Sequence, residues 1–231
     1  WVFPVVSSHF RPAAVAGFAA GLEALMSESA NRRLVLLGGL ALGVTSTASA
    51  QPQVRRDLYN GELDYLAKEF SGAATKIPSR IQIASAPEPG EQMAISGKAL
   101  SWRTGEPVPG IIIYAYHTDN TGSYAGGPAG TRHARLRGWV RTGTDGAYAF
   151  TSIKPAPYPD RTMPAHVHFI VLEPGKPPYW IDDIVFDGEF RVDDAYKATL
   201  ENRGGNGVIP LKREAGVWTG MRDIRLERHP A

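Results

Sequence analysis

Cysteine is missing from this chain of 231 residues, which excludes every thiolate metal site and leaves only nitrogen and oxygen donors for any bound ion. A strong charge bias is missing too. The formal net charge is only +2, and the basic residues are scattered, with no Lys/Arg block and no basic amphipathic helix, so nucleic acid is disfavoured as a partner. Internal repeats and low-complexity blocks are absent, which excludes solenoids and arrays. What is present is 43% hydrophobic residues, enough to bury one sizeable core.

The amino-terminal part reads as targeting sequence. From Met26 a polar stretch leads to Arg32-Arg33, then the apolar run Leu34 to Val44, then Ala48-Ser49-Ala50, the pattern of a signal peptide over 26–50 cleaved before Gln51. That run is too short for a bilayer-spanning helix, which needs about 20 residues, so no membrane span is expected in the mature form. The paired arginines also resemble a twin-arginine signal. Residues 1–25 precede the first methionine and read as an upstream mis-start segment. The expected localisation is periplasmic or secreted, and a cysteine-free chain is compatible with such a compartment. The alternative is that the apolar run is a helix of the folded domain.

Residues 51–90 read as an N-terminal helix and linker. Tyr59, Leu63, Leu66 and Phe70 recur at helical spacing, with Asp57, Glu62 and Asp64 ahead of Lys68, as an amphipathic helix aligned with its dipole requires. Gly72 and Pro78 end it. Over 91–228 the pattern changes to short apolar runs between turn residues, predicting an all-β chain, a β-sandwich of about eight short strands. The runs are Met93–Trp102, Gly110–His117, Arg135–Thr142, Ala147–Ile153, Ala165–Leu172, Tyr179–Phe186, Gly207–Leu211 and Val217–Leu226. Asp145-Gly146 carries a hairpin signal, and Glu173-Pro174-Gly175 marks a second turn.

Within one of these runs stands His166-Val167-His168. Residues two apart on a strand share a face, so both imidazoles can reach one ion. Two neighbouring histidines that both ionised would repel each other, which argues for a shared metal rather than packing. Tyr124 and Tyr158 are the candidate oxygen donors; a phenolate is hard and anionic and favours a hard trivalent ion such as Fe(III). Each has a plainer alternative, Tyr124 as a loop aromatic and Tyr158 as a turn residue packed between Pro157 and Pro159. His117 reads as a hydrogen-bonding residue at a strand end, His133 as part of an arginine-rich loop and His229 as tail.

Taken in order, Val108-Pro109-Gly110, Gly122-Ser123-Tyr124, Arg137-Gly138-Trp139, Asp145-Gly146, Ile153-Lys154-Pro155, Pro157-Tyr158-Pro159 and Pro164-Ala165-His166-Val167-His168-Phe169 resemble the intradiol ring-cleaving dioxygenases. The resemblance implies Fe(III) held by Tyr124, Tyr158, His166 and His168, with Tyr124 and His168 equatorial and Tyr158 and His166 axial. It also implies that Tyr158 is displaced when a small aromatic diol binds, and that the diol and O2 yield a muconate-type diacid. The family places an arginine directly before Pro-Ala-His, where this chain has Met163; Arg161 is the expected substitute, with Tyr158 and Arg161 as the catalytic pair. Asp183 falls approximately where the family carries glutamine. The alternatives are a non-catalytic transthyretin-like binding module, which shares the glycine-proline turns, and a metal-dependent hydrolase with Asp160 or Asp183 as general base. A homo-oligomer is left open.

Overall fold

The structure, a computed structural model, describes residues 77–85, 87–124, 126 and 135–228. The expected segments 1–25 and 26–50, the helix over Asp57 to Phe70, and His133 and His229 lie outside the described residues.

The described chain forms β1 (Arg80–Gln82), β2 (Gln92–Leu100), β3 (Ile112–His117), β4 (Arg137–Arg141), β5 (Ala147–Ile153), β6 (His166–Leu172), β7 (Tyr179–Trp180), β8 (Ile184–Phe186), α1 (Asp194–Lys197), β9 (Val208–Ile209), β10 (Lys212–Glu214), β11 (Val217–Met221) and β12 (Ile224–Arg225). One sheet runs β1-β5-β2-β11-β10 with β12 also on β2; the other runs β4-β3-β6-β8-β9 with β7 on β6. Both are mixed, since in the first sheet β1 runs parallel to β5 and both β11 and β12 run parallel to β2, and in the second β9 runs parallel to β8. The expected all-β sandwich is the observed fold.

The strand count rises from about eight to twelve for identifiable reasons. The run Tyr179–Phe186 breaks between β7 and β8, where the Asp182 amide donates to the Arg203 carbonyl and leaves the ladder. Val217–Leu226 breaks where the Arg222 amide donates to Ser96 and the Asp223 carboxylate accepts from the Lys98 amide. β10 is entirely exposed, so it has no inward side chains and no alternation to read. Asp145-Gly146 is a tight turn, with Gly146 at φ +72°, but it joins β4 to β5, which belong to different sheets; it is a sandwich corner rather than a hairpin.

Side-chain alternation distributes the apolar residues over two layers. Ile111, Ile113 and Ala115 with Val167, Phe169 and Val171 face the opposite sheet in the main core. Ile112, Tyr114 and Tyr116 with Ile170 and Leu172 point the other way and make a second cluster with Trp180, against which Tyr124 and Trp139 pack. β6 is therefore covered on both faces, which is why its sequence is almost uninterruptedly apolar. His166 and His168 share the parity of Ile170 and Leu172, so they lie on the face turned away from the main core.

His117 ends β3 and is wholly buried. Its Nδ1 donates to the Thr118 carbonyl at 2.7 Å and its Nε2 accepts from the Ser152 hydroxyl at 2.7 Å. Burial, with the nearby His166 and His168 adding to it, lowers its pKa from 6.5 to about 4. Below the unfolded value the unfolded chain binds the proton and the native chain does not, so this residue reduces stability as pH falls from about 6.5 to about 4, by up to about 3 kcal/mol. Thermal melts across that window should show the loss, and His117→Gln should show a shallower slope.

Candidate metal centre

Two loops carry the phenols. After β3 the chain turns around Asp119, whose Oδ1 accepts from the Thr121 amide at 2.8 Å, the Thr121 hydroxyl at 2.6 Å and the Ser123 amide at 3.1 Å. Burial works to raise the Asp119 carboxyl, but these hydrogen bonds and the charge of Arg135 hold it below the usual carboxylate range. Gly122, at φ +80°, stands so close to the second loop that a Cβ would lie 2.0 Å from the Pro157 carbonyl oxygen. The Ala156 amide donates to Asp119 O, and the Thr118 hydroxyl donates to Ala156 O at 2.9 Å. Laced in this way, the loops bring the Tyr124 and Tyr158 hydroxyl oxygens to 3.2 Å from each other.

β6 carries the imidazoles. His166 Nδ1 lies 2.7 Å from the Pro164 carbonyl oxygen and His168 Nδ1 lies 2.8 Å from Asp183 Oδ1. A carbonyl and a carboxylate only accept, so each Nδ1 donates its hydrogen and each Nε2 is left with a lone pair. The two Nε2 atoms are 3.1 Å apart, and His168 Nε2 is 2.9 Å from the Tyr124 oxygen. Tyr116, the cross-strand partner of His168, stacks on its ring at 4.5 Å between centroids, and Trp180 meets it edge-on at 5.9 Å.

Two imidazole nitrogens and two phenol oxygens thus stand in sequence, His166 Nε2 to His168 Nε2 to the Tyr124 oxygen to the Tyr158 oxygen, with successive separations of 2.9 to 3.2 Å. Ligands standing about 2.1 Å from a common ion and at right angles to each other have such separations. Two lone pairs 3.1 Å apart repel, and a cation facing both would offset that repulsion. Burial, helped by His168, lowers the His166 pKa, so a proton is a poor candidate for that cation. Burial, the hydrogen bond shared with Tyr158 and the charge of Asp183 push the Tyr124 phenol far up, and burial raises Tyr158 as well. Phenolates form here only against a positive charge at the point of convergence. The donor set fits a hard trivalent ion such as Fe(III), which Tyr124, Tyr158, His166 and His168 would hold.

His166, His168 and Asp183 also place ligand atoms within 4.8 Å of one another, the composition of a two-histidine, one-carboxylate facial site. The geometry gives the aspartate a different place: it meets His168 at Nδ1, across the ring from the Nε2 that faces Tyr124. Burial works to raise the Asp183 carboxyl, but His168, with His166 and Arg222, holds it below its ordinary value. Asp160 is exposed and accepts from the Thr162 amide and hydroxyl, so neither carboxylate presents itself as the general base a hydrolase needs. Arg161 is exposed, in the left-handed region at φ 57° on the turn that Tyr158 opens, and its guanidinium lies 3.9 Å from the Phe190 ring centroid. Its amide donates to the Tyr158 carbonyl at 2.8 Å, but among the described residues no hydrogen bond or ion pair joins the guanidinium to the four donor atoms. Sequence reasoning reaches Asp119 only as a motif residue beside Gly122-Ser123-Tyr124 and Tyr116 only as a strand residue, and misses that Asp119 braces the Tyr124 loop and Tyr116 stacks on His168; strand parity puts Tyr116 on the site face, but which strand lies beside β6 is a matter of topology.

A family model described as dioxygenase matches residues 67–204, more than half of the chain. The chain is 30% identical over 142 residues to chlorocatechol 1,2-dioxygenase of Rhodococcus opacus, covering 54% of this chain and 52% of that enzyme. It is 25% identical over 195 residues to catechol 1,2-dioxygenase 2 of Acinetobacter lwoffii, covering 72% and 68%. The chain therefore spans only about half the length of the chlorocatechol enzyme. Its fold is similar to the dioxygenase domain of a dioxygenase carbohydrate-binding fusion from Streptomyces sp. SirexAA-E, with a TM-score of 0.53 at 24% identity over 66% of this chain and 90% of that one. The chain belongs to the intradiol dioxygenase family.

Proposed function

We propose that this protein is a non-haem Fe(III) intradiol dioxygenase that opens a catechol-type ring with O2 to a muconate-type diacid. The observation that carries this reading is the convergence of the Tyr124 and Tyr158 oxygens with the His166 and His168 Nε2 atoms. A transthyretin-like bracing module has no use for such a set. Bound Fe(III) would supply Lewis-acid activation of a chelated catecholate toward O2.

The chain's own residues do the rest. Tyr124 stays in place, since it packs against the Tyr116 cluster and meets His168. Among the described residues the Tyr158 hydroxyl has only the Tyr124 oxygen as hydrogen-bond partner, so its phenolate is free to swing out and take a proton from the incoming diol. Asp183 holds His168 in the tautomer whose lone pair faces inward. Tyr116 and Trp180 shield the ring of His168 from water. Arg161 would leave Phe190 to meet charge developing on the substrate, and the stacking it gives up is worth about 0.5–2 kcal/mol.

Fe(III)-loaded protein should be burgundy through tyrosinate-to-iron charge transfer and should consume O2 with catechol, chlorocatechol or hydroxyquinol. Colourless loaded protein, or coloured protein that consumes no O2 with any of the three, would overturn the reading. Arg161→Ala should lower turnover about 10²-fold with iron content unchanged, since deleting one charge-stabilising donor has that effect; unchanged turnover would remove Arg161 from the mechanism.

A further inference from the structure

The most deeply buried cation of the described residues is not at the convergence point but behind it. Arg222, 1% exposed, follows β11 and turns its guanidinium beneath the segment between β7 and β8. Nη1 donates to the Asp183 carbonyl at 3.3 Å, and Nη2 donates to the carbonyls of Arg203 at 3.3 Å and Gly205 at 3.5 Å. Gly207 makes room for this: a Cβ there would lie 2.3 Å from the Asp183 carbonyl oxygen and 2.6 Å from Arg222 Nη1. No carboxylate forms a salt bridge with the guanidinium among the described residues, and its Nε finds no acceptor. Burying a guanidinium without a direct ion pair is costly, and a core of this composition could be filled by apolar side chains, so packing does not account for it.

The residue whose carbonyl Arg222 holds is the one whose carboxylate holds His168. Resting on the Fe(III) reading above, we infer that Arg222 is a positioning residue of the metal centre: by clamping the Asp183 backbone it aims Asp183 Oδ1 at His168 Nδ1, and so keeps the His168 Nε2 lone pair on the ion. Arg rather than Lys is required because three carbonyls from two segments, Asp183 on one and Arg203 and Gly205 on the other, must be met by one planar fork. The relay spans the sandwich, since Arg222 leaves the sheet of β2 and β11 while His168 and Asp183 belong to the side of β6 and β8.

The test reads two properties of the full chain. The first is the proton position on the His168 ring, measured by nitrogen NMR of the iron-free protein; the second is Fe(III) affinity. Wild type should carry the His168 proton on Nδ1. Asp183→Ala and Arg222→Met should both move part of the population to Nε2 and each weaken iron binding about tenfold, as loss of a partner behind a ligand does. The double variant should stay near tenfold rather than a hundredfold, because both changes cut one relay. Arg222→Lys is read where Arg222→Met fails to fold, with a smaller shift in the same direction. A folded Arg222 variant with wild-type His168 and wild-type affinity, or a double variant whose losses multiply, would overturn the relay. If wild type takes up no iron, it is the Fe(III) reading that falls, and the ring-nitrogen measurement still decides the relay.

Discussion

Tyr158→Phe is expected to keep iron and lose ring cleavage by about 10² to 10⁴, the contribution of a positioned general base. Iron is retained because Tyr124, His166 and His168 stay where their partners hold them: the Tyr116 cluster, Pro164 and Asp183. Cleavage is lost because a phenyl ring cannot accept a substrate proton. The contrast that makes the result specific is Tyr124→Phe. That variant removes the oxygen lying 2.9 Å from His168 Nε2 and 3.2 Å from the Tyr158 oxygen, so it should lose iron as well as activity. Metal analysis, the charge-transfer band and O2 uptake on both variants separate the two roles. Full turnover in Tyr158→Phe would end the assignment of that phenolate as the proton acceptor.

Gly97→Ala should be strongly destabilising. A Cβ at Gly97 would lie 1.7 Å from the Arg222 carbonyl oxygen and 2.5 Å from its carbon. Gly97 has no left-handed backbone angle, so the penalty is one of space. The space cannot open easily, because β2 is locked on both sides by β5 and β11 and the Arg222 carbonyl also accepts from the Tyr148 hydroxyl at 2.8 Å. Overpacking typically costs about 1–3 kcal/mol, and a clash of a Cβ with a fixed backbone carbonyl belongs above that range. In a domain of this size the melting temperature should fall by roughly 6–12 °C or more, with soluble yield reduced. Gly175→Ala is the control, since Gly175 has φ +72° and open space around its Cβ position; it should cost only the left-handed strain, about 1–2 kcal/mol. Equal melting temperatures for the two variants would show that β2 and the Arg222 segment can move apart.

The sequence by itself determined the all-β class, because turn residues punctuate short apolar runs and period-two alternation needs no tertiary information. It also determined that His166 and His168 share a face, and the ordered motifs around Tyr124, Tyr158 and the histidines carried the family. What it could not determine was which face. β6 is apolar on both sides, so parity alone does not say whether the histidines look into the sandwich core or away from it; the layer that covers Ile170, Leu172 and Trp180 decided that. Nor could spacing separate a carboxylate that binds the ion from one that stands behind an imidazole, since Asp183 satisfies either composition and only its approach to Nδ1 tells them apart. The breaks that split two expected runs into β7 and β8 and into β11 and β12, and the passage of Arg222 over Gly97, depend on long-range contacts between segments distant in the chain. Local patterns fix the conformation of a segment and the parity of its side chains, whereas a site made of four donors and their partners is assembled by packing between segments.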